Sequence, residues 1–253
     1  MSAVVVCSGK GSPGATFFAA NLAAGLSRAK EEVLLLDLDP AGGDLCCYLG
    51  LDPRRGLFPL LRMEGRISGT ARLLAEAEER SGFRVVGGLP ESSDLASPGI
   101  LAEALDAASA PGRMVIADIG RVFETNATLA AKAELVLLVV RADLTSVLGA
   151  ERALRHLEGA GTRRDRIAAV VSGHERRRPA DLAECAEALG LPVLGAVPVD
   201  RHGARKALVS QTPAASRRLR RAFDALSAAA RRRIAEAEHG AGSPVHELSR
   251  ART

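Results

Sequence analysis

A glycine-rich segment near the N-terminus has the residue types and spacing of a loop that binds phosphate groups. It lies between a short β-branched run, residues 3–7, and a helical pattern that begins at Thr16. Its glycines are Gly9, Gly11 and Gly14. Glycines let the backbone turn tightly and bring N–H groups close to an anion, and the following helix offers its positive N-terminus to the same anion. The segment matches the phosphate-loop pattern G-x-x-x-x-G-K-[ST] except that Ala15 stands at the lysine position, so a glycine-rich turn without a ligand is the alternative.

Acidic residues follow two of the other apolar runs. Residues 33–36 lead into residues 37–40, which read Asp-Leu-Asp-Pro, and residues 114–117 lead into Asp118. Because the carboxyl ends of parallel strands meet at one edge of a sheet, we expect these acids to converge with the glycine-rich loop. Carboxylates at such an edge can hold magnesium and orient water.

With these three elements the chain resembles the ParA/MinD family of deviant Walker A P-loop ATPases, over roughly residues 1–235. The family's loop reads K-G-G-x-G-K-[ST], and residues 10–16 here read Lys-Gly-Ser-Pro-Gly-Ala-Thr. The resemblance implies that Lys10 is the signature lysine, which reaches the partner subunit's nucleotide across a dimer. It also implies that Asp39 positions the attacking water and that Asp118 holds magnesium through water.

The cofactors that this resemblance implies are ATP and Mg2+. The positions that match the family's nucleotide contacts are Gly9, Lys10, Gly11, Ser12, Pro13, Gly14, Ala15, Thr16 and Phe17 in the loop, with Pro198 and Asp200 beside the base. Thr16 and Asp118 match the magnesium positions, and Lys10 and Asp39 match the positions that serve hydrolysis.

Several positions depart from the family pattern. Ala15 replaces the lysine that contacts the β- and γ-phosphates, Phe17 replaces a small hydroxylated residue, and Asp44 stands where asparagine is common. Residues 172–173, Ser-Gly, stand where an asparagine often reads the adenine. One missing charge-assisted phosphate contact costs about 1.5–3 kcal/mol, or roughly ten- to hundredfold in affinity. We therefore expect a retained fold, weakened nucleotide binding and poor hydrolysis.

Apolar runs alternate with helical patterns along the whole chain. This alternation predicts an α/β protein with the three-layer P-loop NTPase fold, a mostly parallel sheet of about seven strands and helices on both faces. The last long helical pattern covers residues 213–238. We expect a single domain over residues 1–238 and a flexible C-terminal tail over residues 239–253.

The composition excludes several classes of protein. The chain has 253 residues, 47% hydrophobic and 25% charged, and no stretch reaches the ~18 uncharged apolar residues of a membrane span. The cysteines, which have neither metal-like nor disulfide-like spacing, are Cys7, Cys46, Cys47 and Cys185. We therefore expect a cytoplasmic protein rather than a secreted, transmembrane, fibrous or disordered one.

Positive charge is concentrated near the C-terminus. The net charge is +4, but residues 201–233 carry ten basic residues and one acid. In the last helical pattern Leu219, Phe223, Leu226 and Ala230 share one narrow face, and arginines occupy the rest. Three interpretations are open: a docked helix with solvated arginines, a surface that binds DNA non-specifically, or association with a membrane surface, for which no clear anchor is visible.

The resemblance favours a nucleotide-dependent dimeric switch that positions cellular machinery, such as a septum, a partitioned chromosome or plasmid, or a Tad pilus. Within the family, the altered loop makes the chain most similar to the CpaE/TadZ and MinD-like branch. Its expected partners are a second copy of the chain and a protein of a localisation system. The alternatives are a pseudo-ATPase scaffold that does not bind nucleotide, and a DNA-associating partition protein that acts through its arginine-rich helix.

Overall fold

The predicted alternation of strands and helices is present in the computed structural model, which describes residues 2–11, 14–67, 69–89, 97–174, 180–213 and 216–240. The strands are β1 (Ser2–Ser8), β2 (Glu32–Asp37), β3 (Glu78–Arg80), β4 (Phe83–Val86), β5 (Arg113–Arg121), β6 (Leu135–Val140), β7 (Ile167–His174) and β8 (Val193–Pro198). The helices are α1 (Ala15–Arg28), α2 (Leu45–Leu49), α3 (Leu57–Glu64), α4 (Thr70–Ala75), α5 (Pro98–Ala108), α6 (Ala127–Ala130), α7 (Leu144–Gly159), α8 (Ala180–Leu189), α9 (Arg201–Ser210) and α10 (Arg217–Gly240).

The strands form one eight-stranded sheet in the order β3-β4-β2-β5-β1-β6-β7-β8. All neighbouring strands are parallel except β3, which pairs antiparallel with β4. The seven apolar runs of the sequence supply the seven parallel strands. The eighth strand, β3, was not predicted because its three residues, Glu-Glu-Arg, contain no apolar run, and only its pairing at the sheet edge makes it a strand.

The buried side chains form two cores, one on each face of the sheet. Successive side chains of a strand point to opposite faces, so Val5 and Cys7 of β1 join one core while Val4 and Val6 join the other. Buried residues of α3 to α8 belong to the first core, and those of α1, α2, α9 and α10 to the second. The predicted three-layer fold, with helices on both faces, is therefore confirmed.

The C-terminal half departs from the predicted helix pattern in one respect. The expected helix over residues 213–238 begins at Arg217, and a separate helix, α9, precedes it. Helix α9 escaped prediction because it has few apolar residues, and the only buried ones are Gly203 and Ala207. The described residues between 41 and 80 contain the three short helices α2, α3 and α4.

Helix α10 packs against the sheet and α1 along the predicted apolar face. Leu219, Phe223, Leu226 and Ala230 are all buried. The two helices approach closely at Gly25 of α1, where an added Cβ would lie 2.2 Å from Ser227 Oγ. Helix α10 extends to Gly240, two residues into the predicted tail, and residues 241–253 lie outside the described residues. No helix in the described part of the chain is long and apolar enough to cross a membrane.

Candidate functional site

The carboxyl ends of the parallel strands bring the predicted site residues to one edge of the sheet. β1 lies in the middle, between β5 and β6, and the glycine-rich loop follows it. In the sheet register Asp118 of β5 lies beside Val6 of β1 on one side and Asp37 of β2 on the other. The phosphate loop and both acidic strand ends therefore converge, as open α/β sheets require of a ligand site.

The glycine-rich loop is held from both ends. Gly9 packs directly on Gly149 of α7, where an added Cβ would lie 2.2 Å from the Gly149 carbonyl carbon. Gly14 has φ of +90°, a left-handed conformation that favours glycine, and it caps α1 without a side-chain hydrogen bond. The first backbone bond of α1 runs from Phe18 N to Gly14 O, so the preceding N–H groups of this helix are available to an anion. The predicted contacts Ser12 and Pro13 lie outside the described residues.

A cavity of about 570 Å³ lies over the start of α1. Its walls are Ser8, Gly11, Gly14, Ala15, Thr16, Phe17, Asp39, Asp44, Cys47, Tyr48, Gly120, Arg121 and Leu208. The structure thus brings Thr16 and Asp39 together with the loop, as the sequence predicted, and Asp118 lies beneath the same wall, two residues before Gly120.

Asp118 is fully buried, and only part of its carboxylate is satisfied. Asp118 Oδ1 accepts a hydrogen bond from the Gly120 N–H at 3.0 Å, whereas Oδ2 accepts none within the described residues. Burial raises the pKa of Asp118 to about 6, and the nearby Thr16 hydroxyl offsets part of that rise. A buried carboxylate oxygen without a donor, close to a hydroxyl, is a donor set that suits a magnesium ion.

Asp39 and Asp37, two residues apart, have different environments. Asp39 is partly exposed to the cavity, and its carboxylate lies against Gly120, where an added Cβ would be 1.9 Å from Oδ2. Asp37 is buried, and it accepts hydrogen bonds from the N–H groups of Asp39 at 3.3 Å and Leu45 at 3.2 Å. Burial and the charge of Asp118 raise the pKa of Asp37 well above its usual range. Asp37 therefore shapes the loop that presents Asp39.

Lys10 does not line the cavity. Its Nζ donates a hydrogen bond of 2.6 Å to Thr145 Oγ1 and lies 3.6 Å from Asp143 Oδ1, at the start of α7 in the same chain. Asp143 caps α7 by accepting a hydrogen bond from the Ser146 N–H. Lys10 therefore faces α7 of its own chain rather than the cavity.

A second cavity, of about 360 Å³, lies beside the first and shares Phe17 with it. The predicted base contacts Pro198 and Asp200 line this second cavity. The Phe17 ring makes edge contacts with Tyr48 and Phe223, at centroid distances of 5.9 and 5.8 Å. The Asp200 carboxylate already caps α9 through the Gly203 N–H and accepts a hydrogen bond from Ser216 Oγ, which lowers the pKa of Asp200.

Six lining residues were missed by sequence reasoning: Ser8, Cys47, Tyr48, Gly120, Arg121 and Leu208. Three of them lie on helices far from the loop in sequence and belong to no local motif. Arg121 could have been predicted from the sequence, because it closely follows Asp118, the strand-end acid that the sequence already assigned to the site.

Comparisons with known proteins agree with this geometry. Residues 4–212 match the family model of the CobQ/CobB/MinD/ParA nucleotide binding domain. An uncharacterized protein of Mycobacterium tuberculosis, in strains H37Rv and CDC 1551, is 31% identical over 248 residues, covering 96% of this chain. The chain spans 65% of the length of these relatives.

Three solved structures share the fold. A ParA family ATPase from Chlorobium tepidum has a TM-score of 0.75 at 18% identity, covering 90% of this chain and 98% of that one. The septum site-determining protein MinD from Pyrococcus horikoshii, complexed with Mg-ADP, has a TM-score of 0.73 at 19% identity, covering 89% and 94%. The MinC:MinD cell division complex from Aquifex aeolicus has a TM-score of 0.72 at 19% identity, covering 98% and 99%.

Proposed function

Because the chain belongs to the CobQ/CobB/MinD/ParA nucleotide-binding domain family, we propose that it binds ATP with magnesium at the cavity over α1. We propose further that bound nucleotide controls a homodimer which positions a protein partner of a localisation system. Two of the structurally similar proteins, MinD from Pyrococcus horikoshii and MinD from Aquifex aeolicus, are named for septum-site determination and cell division.

The observation that carries this proposal is the unsatisfied Oδ2 of buried Asp118 at the base of the cavity. Burying a carboxylate oxygen without a donor is unfavourable, and a cation would remove that cost. Thr16 supplies a hydroxyl nearby, and Asp39 supplies a second carboxylate at the wall. This combination favours a ligand-binding loop over a turn without a ligand.

The residues present fit a magnesium nucleotide. The N–H groups of the loop and of the first turn of α1 would bind the phosphates, and Thr16 and Asp118 would hold magnesium. Asp39 would orient a water molecule, while Phe17, Pro198 and Asp200 would contact the nucleoside. The bound nucleotide would supply the phosphoryl group whose hydrolysis ends the active state of the switch.

Hydrolysis is expected to be weak or absent. The Ala15 side chain offers the phosphates no charge, and Lys10 is bound to α7 in its own chain. Charge develops on the transferred phosphoryl group during hydrolysis, so a missing cation lowers the rate more than it lowers binding.

The proposed dimer would form across the same edge of the sheet. The exposed large hydrophobic side chains of the described residues are Phe123, Leu144, Leu148, Leu208 and Val209. All five lie in β-to-α segments or helices that follow the carboxyl ends of strands, and Leu208 lines the cavity. Apolar side chains gathered around a ligand site suit a surface that a second copy covers.

The decisive experiment is a titration with a fluorescent ATP analogue, with and without Mg2+. We expect magnesium-dependent binding tighter than about 1 mM, weakened at least about tenfold by Thr16→Ala because a charge-assisted contact is lost. Thr162→Ala is the matched control, since Thr162 is a buried threonine before the start of β7 that lines neither cavity. No binding at millimolar nucleotide would instead indicate a pseudo-ATPase scaffold.

Turnover is tested separately. Lys10→Ala and Asp39→Ala should each abolish whatever hydrolysis the wild type shows, because they remove the trans cation and the water-orienting carboxylate. Wild-type turnover that both variants retain would contradict an active ATPase.

A second candidate function is non-specific DNA binding by α10. Arg217, Arg218, Arg220 and Arg221 are exposed in its first turns and form no ion pair with a carboxylate of the described residues. Phosphate contacts release counterions, so affinity for duplex DNA should fall steeply between low and moderate salt. Binding that is insensitive to salt, or that Arg218→Gln with Arg221→Gln leaves unchanged, would exclude this function.

A further inference from the structure

The phosphate cavity is poor in positive charge for a site that binds polyanions. Ala15 contributes only a methyl group, and the nearest loop cation, Lys10, is directed to α7. Two carboxylates, Asp39 and Asp44, line the walls, and Asp118 lies beneath them. Without another cation, this lining would repel the phosphates that the loop backbone attracts.

Arg121 is the one cationic side chain among the described residues that line this cavity. It is exposed, and within the described part of the chain no carboxylate lies within ion-pair distance of its guanidinium. Its Cζ lies 4.8 Å from the centroid of the Phe123 ring. This cation–π contact holds the guanidinium in place but does not neutralise its charge. The charge is therefore available to a ligand.

The backbone around Arg121 is fixed beside the phosphate loop. Arg121 pairs with Ser8 at the end of β1, and the next N–H, that of Val122, donates to Ser8 O at 2.9 Å. Buried Asn126 donates to the carbonyls of Ile119 at 3.0 Å and Arg121 at 2.8 Å. These bonds hold the base of the Arg121 side chain while its guanidinium remains at the surface.

We propose that Arg121 supplies the phosphate-binding cation that the lysine position of the loop lacks. The planar guanidinium can bind two phosphate oxygens at once, and it enters from the end of β5 rather than from α1. This assignment rests on the proposed function in that the natural ligand carries phosphates, but its test is independent of magnesium and of hydrolysis.

The test compares Arg121→Gln with Arg152→Gln, an exposed arginine on α7 that lines none of the cavities described above. Binding of inorganic tripolyphosphate without metal, and of the fluorescent ATP analogue with Mg2+, is measured by titration. Arg121→Gln should weaken both about ten- to hundredfold, as expected for one charge-assisted pair, and Arg152→Gln should leave both within about twofold. Equal melting temperatures of the two variants would show that the fold is intact.

A rescue variant makes the test specific. Ala15→Lys restores the cation from the loop side, so adding it to Arg121→Gln should recover at least about tenfold of the lost affinity. Unchanged binding in Arg121→Gln, an equal loss in Arg152→Gln, or no recovery with Ala15→Lys would each overturn the assignment.

The two probes separate this assignment from the proposed function. Tripolyphosphate binding that depends on Arg121, without any binding of magnesium ATP, would support the assignment and contradict the proposed function. Magnesium ATP binding that is unchanged in Arg121→Gln would support the proposed function and contradict the assignment. A wild-type protein that binds neither probe would overturn both.

Discussion

At the scale of single residues, burial separates chemically identical side chains into different roles. Asp37 and Asp39 belong to one short motif, yet Asp37 is enclosed by Gly43 and Gly88 and hydrogen-bonds to the backbone. Asp39 reaches the cavity. Asp37 and Asp118 lie next to one another in the register of β2 and β5. Burial raises the pKa of both carboxyl groups, and the charge of Asp118 raises the pKa of Asp37 further.

This buried pair predicts a pH dependence of stability. The pKa of Asp118 is about 6 in the folded chain, against an ordinary value of 3.8, so the folded state binds more protons between these values and stability falls as pH rises through them. Asp118→Asn removes the charge, so the free energy of unfolding of this variant relative to wild type should increase as the pH rises from 4 to 7.5. Denaturant unfolding at both pH values measures this change.

Glu187→Gln provides the control, because Glu187 is an exposed acid on α8 that forms no ion pair with another described residue. Its effect on stability should be small and similar at the two pH values. An Asp118→Asn effect that is the same at pH 4 and pH 7.5 would contradict the pH argument.

At the scale of elements, the phosphate loop is positioned by α7 as well as by α1. Gly9 and Gly149 meet backbone to backbone, and Lys10 hydrogen-bonds to Thr145 in the first turn of α7. Helix α7 follows β6, the strand next to β1, so its N-terminus lies at the same edge as the loop. A shift of α7 would therefore move the phosphate loop directly.

Two alanine substitutions in the loop should differ in their effects. In Gly9→Ala the new Cβ would lie 2.2 Å from the Gly149 backbone, so the loop and α7 must separate, at a cost of about 1–3 kcal/mol. In Gly11→Ala no atom of the described residues lies within 4 Å of the new Cβ, and stability should change little. Thermal unfolding of the two variants provides the measurement, and equal melting temperatures would refute the close packing.

At the scale of the whole molecule, the sheet separates two cores but leaves one edge chemically distinct. Carboxylates, the loop and exposed apolar side chains all gather at the carboxyl ends of the strands. Parallel strands force this asymmetry, because every β-to-α connection leaves from the same edge. The edge thus combines a ligand cavity with apolar surface that a partner could cover.

The proposed dimer predicts a specific loss of assembly. Leu148→Asp places a charge on the apolar surface of α7, where the wild-type side chain is 44% exposed, and should weaken ATP-dependent dimerisation at least about tenfold. Ala183→Asp, at an exposed position of α8, is the control and should leave assembly unchanged. Sedimentation velocity with and without magnesium ATP measures both, and a Leu148→Asp dimer as tight as wild type would place the interface elsewhere.

The sequence by itself determined the architecture and the location of the candidate site. Seven apolar runs, each long enough for a strand, alternated with helical patterns, and the glycine loop and acidic residues stood at strand ends. These signals are local, since hydrophobic period, glycine and the end of a strand can be read within a few residues. The apolar face of α10 could be read in the same way.

Only the tertiary structure decided which of those residues face the cavity and what surrounds them. The burial of Asp37, the contact of Lys10 with Thr145, and the place of Arg121 in the phosphate cavity each join residues that local pattern does not relate. Strand β3 exists because β4 offers it a pairing edge, not because its own residues favour a strand. Such features depend on contacts between distant parts of the chain, and those contacts form only when the sheet brings its strand ends together.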